Sequence, residues 1–72
     1  MTTRREIENQ IEWLKALKDL DMILSVYRPD GKPRYQIQHL HDGQVLRTWP
    51  SHGHTKHLAE IGAYLDGLEF GS

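Results

Sequence analysis

Two short turn sequences divide residues 22–49 into three segments in which apolar and polar side chains alternate. The segments 29–32 (PDGK) and 42–43 (DG) combine a proline that presets φ with glycines that accept positive φ. Because both turns are short, they predict two consecutive hairpins and therefore an antiparallel three-stranded meander. Alternate side chains of each strand then point to opposite faces of the sheet.

Pairing Tyr27 with Arg34 across the first loop sets the register of the first hairpin. One face of the sheet is then largely apolar, and we expect it to form the core. That face receives Met22, Leu24, Val26, Tyr35, Ile37 and His39.

The orientation of the third strand depends on the second hairpin. With a two-residue turn and a regular register, Leu46 and Thr48 join the core face, and Arg47 and Trp49 point to the other face. A single-residue bulge would invert this strand, because one inserted residue exchanges the two faces.

Helical periodicity flanks the strands on both sides. Thr3 and Glu6 have the spacing of a capping box at a helix start. A second helix is expected after the sheet, capped by Thr55 or His54, with Gly62 allowing close approach to the sheet and Phe70 as a terminal anchor. The apolar stripes of the two helices are Ile7, Ile11, Leu14 and Leu17, and Leu58, Ile61, Leu65 and Leu68.

Two helices with one apolar stripe each need only one apolar sheet face to cover. The sequence therefore predicts a single small α+β domain over residues 1–72, in the order α-β-β-β-α, with both helices on one face of the meander. The opposite face is left open. We expect it to carry Ile23, Ser25, Tyr27, Arg34, Gln36, Gln38, Leu40, Val45, Arg47 and Trp49.

Composition and charge narrow the compartment and the partners. The chain has 72 residues, no cysteine and a net charge of −1. The longest uninterrupted apolar runs, 22–24 among them, are far shorter than the roughly 20 residues that span a bilayer, and no secretory signal is visible. We therefore expect a cytoplasmic protein without a membrane partner. Residues 22–57 carry five Lys/Arg and two Asp/Glu, a net charge of +3, and residues 58–72 carry −3.

Histidines are concentrated in the basic middle of the chain. His39 and His41 would share a strand side, and the other three histidines lie between positions 52 and 57, which raises the possibility of a zinc or nickel site. No cysteine is available and no carboxylate has the spacing to complete a ligand set. We therefore predict no metal and no cofactor, with solvated or hydrogen-bonded histidines.

Catalytic patterns are also missing from the sequence. None of the serines lies in a nucleophile-elbow setting, and no paired carboxylates converge on a cleft. We predict a chain that is not an enzyme, has no catalytic residue and takes no small-molecule substrate.

Nucleic-acid binding is the alternative function. The α-β-β-β-α order is similar to that of the double-stranded RNA-binding domain, and residues 53–59 (GHTKHLA) resemble the start of that family's second helix. Glu60 stands where the family has a phosphate-binding lysine. Thr55-Lys56 and Ala59-Glu60 also resemble the arm-binding domains of phage-type integrases. Neither resemblance assigns the chain to a family; they imply phosphate contacts by Lys56 and His57 next to the sheet.

The favoured function is protein binding. Large aromatic side chains and arginines provide most of the binding energy at protein interfaces, and the open face is expected to present both. We predict a small non-enzymatic regulatory module of the accessory or inhibitor kind that bacteria and phages encode, which binds a protein partner or forms a homodimer. The partner-binding residues would be Tyr27, Arg34, Gln36, Gln38, Arg47 and Trp49.

Overall fold

In the computed structural model of the chain, which describes residues 1–71, two helices pack on one face of a three-stranded antiparallel sheet. The strand order is β1-β2-β3, so the sheet is a meander. This confirms the α+β fold predicted from the sequence. The elements are α1 (Arg4–Lys18), β1 (Met22–Tyr27), β2 (Arg34–His41), β3 (Gln44–Trp49) and α2 (Leu58–Phe70).

Helix α1 begins and packs as its sequence predicts. The Thr3 hydroxyl oxygen accepts a hydrogen bond from the Glu6 amide at 3.2 Å, which satisfies one of the free donors of the first turn. Ile7, Ile11 and Leu14 are buried in the core. Leu17 was expected on the same stripe but is exposed. A helix turns about 100° per residue, so Leu17 lies roughly 80° away from Ile7 around the axis.

The first hairpin has the predicted register. Met22 pairs with His39, Leu24 with Ile37 and Val26 with Tyr35, all on the face that the helices cover. On β2, buried and half-buried residues alternate strictly from Arg34 to Leu40, as expected for a strand with one covered face.

The second hairpin has the predicted turn but not the regular register. Asp42 and Gly43 both have positive φ, 52° and 78°, which is the backbone of a type I′ turn. A bulge follows, because Leu40 pairs with Val45 whereas His39 pairs with Arg47. One residue of β3 is therefore unpaired, and the rest of the strand is inverted relative to the regular register.

The bulge overturns four sequence expectations. Arg47 and Trp49 lie on the helix-covered face, opposite His39 and Ile37, and Thr48 lies on the open face, opposite Gln38. Leu46 was expected in the core but is 69% exposed. The inversion brings the large Trp49 side chain against the core and leaves the smaller Leu46 in solvent, which is favourable because an aromatic ring buries more apolar area.

The chain between β3 and α2 differs from the predicted helix cap. Thr55 is buried and pairs with Tyr35 through two backbone hydrogen bonds of 2.8 Å, which extends the sheet beside β2. Helix α2 begins only at Leu58, with His57 as an N-cap whose side chain makes no capping bond. The Thr55 hydroxyl instead bonds the Glu60 carboxylate. The caps predicted at Thr55 and His54 were wrong because Thr55 pairs with β2 as a strand residue, and the helix begins only after it.

Helix α2 contacts α1 along one side. A Cβ added to Gly62 would lie 3.6 Å from Ile7 Cδ1, so the close approach that this glycine permits is to α1 and not to the sheet. At the other end, the Trp13 indole N–H donates to Glu69 at 2.8 Å. Phe70 was expected as an anchor but is 79% exposed. Neither helix of residues 1–71 is long and apolar enough to cross a membrane.

Candidate partner-binding surface

The open face is the side of the sheet that α1 and α2 leave uncovered. Eight of the ten residues predicted for it lie there, and Arg47 and Trp49 do not. Thr48 takes a place on it. We therefore define the open face as Ile23, Ser25, Tyr27, Arg34, Gln36, Gln38, Leu40, Val45 and Thr48.

The loop after β3 folds over one end of the open face. The His54 ring lies 5.2 Å from the Tyr27 ring between centroids, and the Gln36 amide donates to the Gly53 carbonyl at 3.2 Å. The Gln38 amide in turn donates to Gln36 Oε1 at 3.3 Å. This contact was not predicted, although Pro50 and Gly53 already marked the segment as a turn. It engages Tyr27 and Gln36 within the chain itself.

The other end of the open face remains apolar and uncovered. Ile23 is 43% exposed and Val45 is 52% exposed, and Leu40 pairs directly with Val45. We call Ile23, Leu40 and Val45 the apolar patch. Gln38 and Thr48 lie next to it, so apolar side chains alternate there with hydrogen-bonding groups. An apolar centre with polar groups beside it is typical of a protein interface.

The charge on the open face is of one sign. No strand residue of this face carries a carboxylate, and Arg34 is its one cation. The Arg34 guanidinium donates to the Pro33 carbonyl at 3.2 Å and makes no ion pair with any carboxylate of residues 1–71. Arg34 therefore keeps its charge available at the end of the face near the first loop.

Arg47 and Trp49 take part in a cluster on the opposite side of the sheet. The Trp49 ring stacks on Tyr64 of α2, and the Tyr64 hydroxyl lies 2.5 Å from His39 Nε2, within hydrogen-bond distance. Arg47 is exposed, although it lies on the same face of β3 as Trp49. Tyr64 was missed from the sequence, although it lies three residues after Ile61 and so borders the apolar stripe of α2.

The environment of the cluster shifts the pKa values of two of its members. Burial lowers the pKa of His39 below its ordinary value of 6.5, and the Arg47 charge lowers it further. Burial also raises the pKa of the Tyr64 phenol above 10.0, while Arg47 acts in the opposite direction. In the neutral tautomer of His39 with an unprotonated Nε2, the Tyr64 hydroxyl donates a hydrogen bond to that nitrogen, so the bond joins β2 to α2 while both groups are uncharged.

The residues predicted to contact nucleic acid lie apart from the apolar patch. Lys56 and His57 are both exposed at the start of α2. They line two shallow clefts together with Tyr35 and Trp49, which belong to the helix-covered face. The nucleic-acid alternative requires Lys56 and His57 to lie on the same surface as the open face, and they do not.

The histidines do not assemble a metal site in the part of the chain that the structure describes. Within residues 1–71, no three His, Asp or Glu side chains come together in an arrangement that could hold an ion. His39 bonds Tyr64, His54 contacts Tyr27, and His41 lies 3.5 Å from the Asp42 carboxylate.

Comparison with known proteins adds no relative. None of the protein-family models, curated proteins or solved structures compared with the chain matches it. The candidate partner-binding surface is therefore argued from the structure of this chain alone.

Proposed function

We propose that the chain is a non-enzymatic protein-binding module that acts through the open face, with the apolar patch at the centre of the contact. The observation that carries this proposal is the one-sided cover of the sheet. Both helices pack on the same face, and the opposite face presents Ile23 and Val45 to solvent. Exposed apolar side chains next to polar ones are favourable to bury against a complementary protein.

The charge of Arg34 favours an acidic group in the partner at the end of the open face near the first loop. Arg34 is the one cation among the strand residues of this face, and none of them carries a carboxylate. A partner with an apolar centre and a carboxylate placed opposite Arg34 would complement this surface, and that charge pair would accelerate association. Binding a protein partner in this way requires no catalytic or cofactor site, as expected for a small accessory or regulatory protein.

Nucleic-acid binding has less support from the same geometry. Trp49 was expected to stack bases from the open face, but it is stacked on Tyr64 on the other side. Arg47 has moved to that side with it. A stacking platform for single strands needs exposed aromatic rings beside cations on one surface, and the open face retains only Tyr27 and Arg34 of that set.

The test compares two substitutions of equally exposed apolar residues. Val45 on the open face and Leu17 on α1 are each 52% exposed. Tagged wild-type chain, Val45→Ser and Leu17→Ser are used as baits in parallel, and proteins that are captured by wild type and by Leu17→Ser but lost with Val45→Ser are identified. The captured protein is then purified and titrated against each bait by calorimetry. Its Kd for Val45→Ser should be at least about tenfold weaker than its Kd for the wild-type chain, a difference of about 1.4 kcal/mol.

Two outcomes contradict the proposal. Equal capture by both variants would place the contact elsewhere on the chain. Greater loss with Leu17→Ser would assign the contact to the helical side. Circular dichroism of both variants checks that each substitution leaves the fold intact.

A further inference from the structure

The two edge strands of the sheet differ in how they are protected from further pairing. Exposed edges are commonly blocked by charged residues, prolines or bulges, because unprotected ones pair with other strands. β3 has a bulge and carries Arg47. β1 has the sequence MILSVY, without a charge or a proline, and pairs with β2 in unbroken register over all six residues.

The free backbone groups of β1 can be assigned from one hydrogen bond. The Asp21 carbonyl accepts from the Leu40 amide at 2.9 Å, so the backbone of Asp21 faces β2. Successive residues of a strand direct their N–H and C=O groups to opposite sides. Met22, Leu24 and Val26 therefore direct theirs away from β2, where residues 1–71 provide no neighbouring strand.

The core is also incomplete along this edge. Leu24 and Val26 lie on the helix-covered face but are only half-buried. Between α1 and β1 runs a groove of about 180 Å³, lined on the helix side by Ile11 and by Glu8, Glu12 and Lys15, and on the strand side by residues 22–24. A strand added beside β1 would place alternate side chains over this groove and cover Leu24 and Val26.

We propose that the added strand is β1 of a second copy of the chain, paired antiparallel about a two-fold axis at Ser25. A two-fold axis perpendicular to the sheet keeps like faces on the same side. Ser25 then lies opposite Ser25 of the second copy, and Ile23 opposite its Tyr27, on the open face. On the covered face, Leu24 lies opposite Val26, and their free backbone groups form the new hydrogen bonds.

The composition of β1 suits a second copy in particular. In an isologous contact residue i meets residue j and j meets i, and because β1 carries no charge, no like charges meet across the new strand pairs. Contact between two open faces would instead oppose two surfaces whose one charged strand residue, Arg34, has the same sign. The proposal goes beyond the proposed function and joins the two open faces into one six-stranded surface.

Charge exchange at position 25 tests the pairing. Sedimentation equilibrium of the wild-type chain should show a dimer, and Ser25→Lys and Ser25→Glu should each sediment as monomers, because like charges then lie opposite each other at the axis. An equimolar mixture of the two variants should restore the dimer. The matched controls are Gln44→Lys and Gln44→Glu on the other edge strand, which should remain dimeric.

A second variant tests the backbone directly. Val26→Pro removes an amide that faces the free edge and leaves the bonds between β1 and β2 in place, so it should give a monomer with unchanged circular dichroism. A wild-type chain that is monomeric up to about 1 mM, or a dimer that persists in Ser25→Lys and Val26→Pro, would overturn the proposal. Val45 lies on β3 and not at the proposed dimer edge. The effect of Val45→Ser on partner capture therefore tests the proposed function independently of the dimer.

Discussion

The indole of Trp49 lies parallel to the ring of Tyr64, with ring centroids 4.6 Å apart and planes inclined by 9°. Tyr64 also bonds His39, so one residue of α2 connects the ends of β2 and β3. The pair explains why β3 has a bulge: without it, Trp49 would point away from α2. The residue that looked most suited to partner binding in the sequence is therefore part of the packing between sheet and helix.

Replacing Trp49 by alanine should lower the free energy of unfolding by about 2 to 3 kcal/mol, because it removes apolar burial and the stacked contact together. The measurement is urea unfolding followed by far-ultraviolet circular dichroism. The matched control is Trp13→Ala, since Trp13 is 54% exposed and makes one hydrogen bond to Glu69. We expect the control to cost no more than about 1 kcal/mol. Equal losses in the two variants would contradict the packing role of Trp49.

Stability should decrease in mild acid because of His39. Its pKa is lowered in the folded chain, mainly by burial and also by Arg47, so from about pH 6.5 down to this lowered pKa the unfolded chain binds more protons than the folded chain. The contribution of neutral His39 is therefore complete above about pH 6.5 and is lost as the pH falls from there through the lower pKa of the folded chain. His39→Gln should flatten the decrease in unfolding free energy between about pH 7.5 and about pH 5. Identical slopes for the variant and the wild type would show that His39 does not titrate differently on folding.

Two glycine substitutions should change stability in opposite directions. Gly43 has a φ of +78° in the turn between β2 and β3, so Gly43→Ala should destabilise the chain by about 1 kcal/mol even though its Cβ would meet no atom within 4 Å. Gly67 lies inside α2, and a Cβ there would also meet nothing within 4 Å. Gly67→Ala should stabilise by about 0.5 to 1 kcal/mol. Thermal melts of both variants check the signs, and a stabilised Gly43→Ala would contradict the turn assignment.

Generic oligonucleotides should not bind the chain measurably at low salt. Arg34 is the one cation among the strand residues of the open face, whereas non-specific binding needs several phosphate contacts. Fluorescence anisotropy with a labelled single strand and a labelled duplex at about 50 mM salt makes the measurement. Binding that weakens steeply with added salt and is reduced by Lys56→Ala would favour the nucleic-acid alternative over the open-face proposal.

Local patterns in the sequence were sufficient to predict the helices and strands and the register of the first hairpin. Thr3 marks the start of α1, the turn at 42–43 adopts the expected type I′ backbone, and Met22 pairs with His39 as its register requires. These features depend on residues close together in the chain or on the period of one strand. Most of the open face follows from the same periodicity, which placed Gln38 and Val45 correctly.

The tertiary structure alone decided which way β3 faces and what covers the sheet. Both registers of β3 were compatible with its sequence, and the choice depended on the contact of Trp49 with Tyr64, fifteen residues further along the chain. The pairing of Thr55 with Tyr35 and the folding of His54 over Tyr27 are likewise contacts between distant segments. The period of apolar residues and the turn residues carry no information on such contacts. The free energy of these contacts comes from apolar area that is buried only when the separate elements meet.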